Sequence, residues 1–273
     1  MSKKIRIFIK RMHLLHSIFR NLRLFIKKHK YRKFFENHEA SEGKISFRDE
    51  MFEGNLDHYL SVGKSAMIII EDTLRIAEKR FENLNAVLDI PCGHGRVMRH
   101  MVKKVDGRRI TGCDLDFEAV EFCVKEFGCK PLFSNVVFEN IEFEEKFDLI
   151  WVGSLFTHLD ESSFERLLKV LISNLNDDGI LVFSAHGTYS LEIIDKYNGI
   201  VADGKVFIRD QLNKKGFYFT PYENLENYGI SISLKSFVED RINKVAADKM
   251  ALLKFTARGW DNHHDVYSYI KRS

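Results

Sequence analysis

The sequence predicts a doubly wound α/β fold, a mostly parallel sheet lying between helices, and three observations carry that expectation. Ala86–Leu88 is a short apolar run that ends at Asp89, enters a glycine-containing turn and is followed by helical patterning over Val97–Val105. That is the strand–turn–helix succession of a βαβ unit. Further apolar runs at Ile110–Cys113, Phe147–Val152 and Ile180–Phe183 have the length and continuity of strands buried on both faces. Finally, 250–258 and 265–271 read as two strands joined by Gly259-Trp-Asp-Asn-His-His264, an antiparallel hairpin at the edge of the sheet.

The chain is long enough for one substantial domain with an appendage. Hydrophobic residues make up 45% and charged residues 30% of its 273 positions, which is enough to build a core. Only three prolines occur and no segment repeats, so disorder describes little of it. The net charge of +3 conceals an asymmetry. Residues 1–33 carry 12 Lys or Arg and no acid, leaving 30 basic against 39 acidic residues in the remainder. Basicity is therefore local, and nucleic-acid binding across the body is not expected. Cys92, Cys113, Cys123 and Cys129 lack CxxC or Cys–His metal spacing and read as free thiols in a reducing cytoplasm. No apolar run reaches the ~18 residues of a membrane span, and charges interrupt each N-terminal apolar run, against a signal peptide.

Ile5, Phe8, Ile9, Met12, Leu15, Phe19, Leu22 and Phe25 recur at spacings of three and four, with Lys and Arg around the remaining circumference. This predicts a basic amphipathic helix within an N-terminal extension, residues 1–40. Such a helix suits the interface of an anionic membrane, and docking on the domain or on a second subunit of a homodimer is the competing reading. The first reading implies a peripheral position at the inner membrane face. Residues Tyr31–Phe52 turn polar and irregular, a linker into a body over 41–273, and helical patterning resumes over 55–82.

The turn at Pro91-Cys-Gly-His-Gly-Arg96 is the most informative segment. Gly93 and Gly95 permit positive φ and close approach of backbone to a ligand. Asp114, at the end of the second strand, is placed to accept hydrogen bonds from both hydroxyls of a ribose. A dinucleotide site would need a third glycine where Met98 stands, so a pyrophosphate cradle is disfavoured.

With these residues the chain resembles the class I S-adenosylmethionine-dependent methyltransferase superfamily over roughly residues 55–270. Leu88-Asp-Ile-Pro-Cys-Gly-His-Gly-Arg96 is similar to its glycine-rich first motif, with Pro91 in place of the usual first glycine. Gly112-Cys-Asp-Leu115 resembles the second-strand motif, Phe147–Leu159 the fourth-strand motif, and Leu175–Phe183 the approach to the fifth strand. No acid matches the third motif, where Ser134-Asn135 stands nearest. The resemblance implies a Rossmann-like seven-stranded sheet and S-adenosyl-L-methionine as cofactor. It places Asp89, Pro91, Gly93, His94, Gly95, Arg96, Asp114, Leu115 and Ser154 around that cofactor. The Gly-Trp-Asp-x-His ending is also similar to bacterial methyltransferases linked to surface-glycan pathways, which implies a glycan or another small-molecule acceptor.

After the fifth strand, an insertion over about 187–232 is crowded with tyrosine and phenylalanine and is expected to lie over the strand ends. A hydroxyl acceptor would need a base. His158, beyond the fourth strand, is the first candidate and His186, at the end of the fifth, the second; either alternatively only packs. His263 and His264 read as surface histidines of the hairpin turn. No metal ligands are expected. The fourth strand runs into Gly153-Ser-Leu-Phe156 rather than the Asn/Asp-Pro-Pro-Tyr of amino-methylating DNA enzymes.

Overall fold

The computed structural model describes residues 26–31, 44–197, 199–200, 203–223 and 225–272. The basic helix expected near the N-terminus thus lies outside the described residues, apart from one helical turn at 26–30.

The domain begins with α1 (Leu56–Ile76), whose N-cap Asn55 accepts from the His58 N–H and whose inner face is Tyr59, Val62, Gly63, Ala66, Met67, Ile70 and Leu74. Strand β1 (Val87–Asp89) follows, then the glycine turn and the short α2 (Met98–Met101), β2 (Ile110–Asp114) and α3 (Phe117–Phe127). Asp116 caps α3 by accepting from Glu118 N–H, and Gly128 ends it at φ +67°, the left-handed residue that closes many helices. Next come β3 (Lys130–Phe133), β4 (Phe147–Val152), α4 (Glu161–Ser173) and β5 (Leu175–Ala185). Between β5 and α7 (Lys235–Ala246) lie α5 (Thr188–Glu192), α6 (Lys205–Lys215) and a ribbon of β6 (Phe217–Pro221) and β7 (Gly229–Ser233). Strands β8 (Met250–Trp260) and β9 (His264–Lys271) end the chain.

Seven strands form one sheet in the order β3-β2-β1-β4-β5-β9-β8. The first five are parallel, and β9 pairs antiparallel with both β5 and β8, giving the hairpin the sequence led us to expect. Strand β1 is buried at all three positions because helices cover both faces of the sheet. One face packs Leu88, Ile150, Leu181 and Phe183 against α4 and α7, and the other packs Val87, Leu149, Trp151 and Val182 against α1, α2 and α3. The chain turns one way from β1 to β2 and the other way to β4. A crevice therefore opens at the carboxyl ends of β1 and β4, where ligands bind in such sheets.

The segment after β5 carries its own small core of Leu191, Ile194, Ile208, Leu212, Tyr218, Ile230 and Ile232. It is fastened to the crevice where Tyr228 bridges to Leu159 and where the Ser233 N–H donates to the His186 carbonyl. The linker expected over Tyr31–Phe52 differs across its described residues: Ile45, Asp49 and Phe52 are buried against Tyr59. Polarity at Asp49 hid this, because its carboxylate is satisfied inside, accepting from the Tyr59 hydroxyl and the Met51 N–H. Among the described residues no helix is long and apolar enough to cross a membrane.

The contact between α1 and the glycine turn tolerates no side chain at Gly63, where a Cβ would stand 2.1 Å from the Arg96 carbonyl oxygen. Gly63→Ala is expected to lower the unfolding free energy by about 1–3 kcal/mol through overpacking. The neighbouring exposed substitution Lys64→Ala should stay within about 0.5 kcal/mol. Denaturant titration of both variants checks this.

Candidate active site

The cofactor side of the crevice is built from the turn after β1 and the tip of β2. Gly93 and Gly95 both have positive φ, +49° and +76°, and the Ile90–Pro91 peptide is cis. The two glycines serve different needs. A Cβ at Gly95 would strike the Phe127 ring at 2.3 Å, so packing demands its absence, whereas a Cβ at Gly93 would meet nothing within 4 Å. Backbone at Gly93 therefore borders open space in the crevice.

The Gly93 N–H donates to Asp114 Oδ2 at 2.8 Å, and the Asp116 N–H donates to Oδ1 at 2.9 Å. Each oxygen keeps acceptor capacity beyond these bonds. Burial pushes the Asp114 carboxyl pKa up, and the N–H donors of Asp116 and Gly93 oppose that shift by favouring the carboxylate. Leu115 beside it is 61% exposed. Phe117 and Phe133 stack on each other at 5.0 Å, and both are exposed. An exposed apolar wall next to a ribose-type acid suits a nucleobase. Ser134 follows β3, its N–H donating to the Asp114 carbonyl, and Asn135 Oδ1 accepts from the Val137 N–H.

Deeper in, Asp89 is buried, and its Oδ2 has no hydrogen-bond partner. Burial, and secondarily the negative charge of Asp114, raise its pKa well above the usual carboxylate range. His94, also buried, leaves Nε2 without a partner, and burial lowers its pKa. Orphaned polar atoms of this kind cost about 1–3 kcal/mol each. Both lie in the motif matched to the amino-acid half of the expected cofactor, whose ammonium and carboxylate are the complementary groups. The residues present fit that molecule. Arg96 lies 5.8 Å over the Trp260 ring, and its pKa is lowered by burial. Pro91 shapes the turn, and Ser154, at φ +61° beyond β4, donates its N–H to Ser184 Oγ at 2.9 Å.

Behind the turn stands a group that sequence reasoning missed. Arg99 is buried, donating Nε to the Gly95 carbonyl at 3.2 Å and Nη2 to the Lys44 carbonyl and the Tyr59 hydroxyl. Its guanidinium lies over the Tyr59 and Phe127 rings. Arg99 thus clamps the glycine turn to α1 and to the segment before it. The only signal in the sequence was an arginine on the inward face of a short helix.

The acceptor side is lined by imidazoles and phenols. His158 ends the turn after β4, its Nδ1–H donating to the Gly229 carbonyl at 2.8 Å with the Tyr222 hydroxyl 3.2 Å away. This tautomer follows because a carbonyl only accepts, and it leaves Nε2 as the basic nitrogen. The ring stacks on Tyr228 at 5.1 Å. His186 is buried, with Nδ1 3.1 Å from the Ser231 carbonyl and Nε2 3.2 Å from the Tyr197 hydroxyl. The two candidate bases are neighbours, their ring centroids 6.3 Å apart.

His263 and His264 correct an expectation. They are not isolated surface histidines of the hairpin turn but pack inward against His186, with centroids 5.2 and 4.8 Å away. The hairpin is drawn across the end of β5 because Trp260 is buried and donates Nε1–H to the Val62 carbonyl at 3.0 Å. Burial lowers all four imidazole pKa values, that of His264 to about 3 and that of His186 well below 6.5, with neighbouring imidazoles adding to both. The four rings are therefore neutral at neutral pH.

Comparison with known proteins agrees with this architecture. Residues 87–179 match the family model described as a methyltransferase domain. The chain is 27% identical over 133 residues to malonyl-[acyl-carrier protein] O-methyltransferase 1 of Ilyobacter polytropus, covering 48% of this chain and 47% of that protein. It thus spans about half the length of the curated relatives it matches. Among solved structures, an S-adenosylmethionine-dependent methyltransferase of Clostridium acetobutylicum superposes with a TM-score of 0.51 at 15% identity, over 81% of this chain and 94% of that one. The 1,6-didemethyltoxoflavin-N1-methyltransferase of Burkholderia thailandensis, solved with its substrate and S-adenosylhomocysteine, gives 0.51 at 14% identity, over 96% and 90%. Residues 87–179 thus match a methyltransferase domain, and the sheet around them has the fold of solved S-adenosylmethionine-dependent methyltransferases.

Proposed function

We propose that the protein transfers the methyl group of S-adenosylmethionine to an oxygen of a glycan or lipid-linked precursor. The observation that carries the methyltransferase part is the carboxylate of Asp114, held by the Gly93 N–H at the edge of an open crevice. A carboxylate so placed suits the hydroxyls of a ribose, and the exposed Phe117 and Phe133 beside it suit a base. Bound there, the cofactor supplies an electrophilic methyl on a sulfonium. The chain's own task is to grip the nucleoside through Asp114, orient the amino-acid half between Asp89 and His94, and keep water from the acceptor. His158 favours an oxygen acceptor: a hydroxyl must lose its proton as the carbon–oxygen bond forms, and a neutral imidazole on the acceptor side can take it. A soluble small metabolite fits the same crevice. Proteins similar to the chain include both a malonyl-[acyl-carrier protein] O-methyltransferase and a pavine N-methyltransferase.

The N-terminal charge pattern supports a peripheral place at the inner membrane face, with the basic stripe of residues 1–33 on anionic lipid. Expression without residues 1–33 should abolish sedimentation with phosphatidylserine vesicles and leave binding of S-adenosylhomocysteine unchanged. Equal sedimentation of the two forms removes the membrane proposal.

Asp114→Asn should weaken S-adenosylhomocysteine binding about 10- to 100-fold in calorimetric titration, the loss expected on removing charge-assisted hydrogen bonds. No heat from the intact protein at millimolar ligand would end the methyltransferase reading and leave a binding module. If the acceptor is a surface glycan, mass spectrometry of surface glycans with and without the protein should show a difference of one methylene.

His158→Ala should lower kcat by about 10²–10⁴-fold with little change in cofactor binding. Burial lowers the His158 pKa, so the basic form persists below the ordinary value of 6.5. The intact enzyme's kcat/KM should therefore hold level from pH 7 to 6.5 and fall only at more acid pH. An acid limb centred above 6.5 would assign the base elsewhere.

A further inference from the structure

We propose that His186, His263 and His264 hold a divalent transition-metal ion of the zinc class at the acceptor side of the crevice. One nitrogen from each ring lies within 4.8 Å of one from each of the others. A tetrahedral site with metal–nitrogen bonds of about 2.0–2.1 Å places donor nitrogens about 3.4 Å apart and ring centroids about 5.2 Å apart. The three centroid separations here are 5.2, 4.8 and 4.6 Å. The rings are already spaced as metal ligands are, and the nitrogens, within 4.8 Å of one another, need only close to about 3.4 Å.

The surroundings fit the same reading. The Ser231 carbonyl takes the Nδ1–H of His186 at 3.1 Å, which leaves Nε2 as a lone pair directed at the cluster. Histidine ligands are oriented by just such a backbone carbonyl. Ser184 Oγ lies 3.3 Å from His264 Nδ1 and is itself fixed by the Ser154 N–H. The Tyr197 hydroxyl lies 3.2 Å from His186 Nε2 and 2.7 Å from His263 Nε2, so both nitrogens face the same small space. A set of imidazoles without carboxylate selects zinc, copper, iron or nickel over magnesium or calcium. The cluster contains three imidazoles and no acid, and His263 and His264 are only part-buried, within reach of solvent.

The ion would polarise an oxygen acceptor next to His158. That role rests on the methyl-transfer reading, whereas metal binding does not.

The test uses the untagged full chain and cobalt(II) as a spectroscopic probe. One cobalt per chain should bind, with visible absorption bands that zinc(II) abolishes and excess magnesium(II) leaves intact. His263→Ala replaces one of the two part-buried members, and His264→Gln provides a second variant of near-native volume. Each should weaken cobalt binding by about tenfold or more, the least that loss of a direct ligand should cost, while Tyr197→Phe should keep the bands. Asp114→Asn should keep cobalt binding while weakening S-adenosylhomocysteine binding about 10- to 100-fold, so failure of either reading is visible separately. Absence of cobalt bands in the intact chain, or uptake unchanged in both histidine variants, overturns the proposal.

Discussion

The hydrogen bond from Gly93 N–H to the Asp114 carboxylate joins the turn after β1 to the end of β2, and the cofactor side of the crevice depends on it. A carboxylate this sheltered is costly in its charged form unless N–H groups face it. Gly93 and Asp116 supply them, and Gly93 can do so because its backbone occupies the left-handed region. A residue with a side chain there would be strained and would intrude on the space a ligand needs. The same turn cannot relax inward, because Gly95 already lies against Phe127 and Met98 is packed under Gly112.

Rigidity comes from behind the site. Arg99, Tyr59 and Asp49 are buried together, and their polar atoms meet one another and the Gly95 and Lys44 carbonyls. Burial and the adjacent Asp49 push the Tyr59 phenol far up, so it remains a hydroxyl that donates. Such a group is stable only when complete, since an unpaired buried charge costs several kcal/mol. It binds the segment before α1 to the glycine turn and makes that segment part of the site's foundation.

On the acceptor side, burial performs a different task. It removes charge from four histidines and holds them as neutral donors and acceptors. The ribbon β6–β7 supplies the carbonyls of Gly229 and Ser231 that orient His158 and His186. The segment after β5 has its own core, so it can present those carbonyls without deforming the sheet.

The doubly wound sheet with its final hairpin, the glycine turn and an acid at the tip of β2 were legible in the sequence, because each follows from local chemistry. Continuous apolar runs mark strands covered on both faces, positive φ calls for glycine, and a ribose-binding acid belongs at a strand tip. Contacts between residues distant in the chain were not legible. Asp49 looked like linker because its partner Tyr59 is recognisable only once α1 is docked. His263 and His264 looked like surface residues because only the burial of Trp260 against α1 turns the hairpin inward, toward His186 some eighty residues earlier in the chain. Sequence pattern determined the main strands of the sheet and the glycine turn after the first of them. Tertiary packing alone decided which side chains meet opposite it, since side-chain proximity across the sheet leaves no periodic trace along the chain.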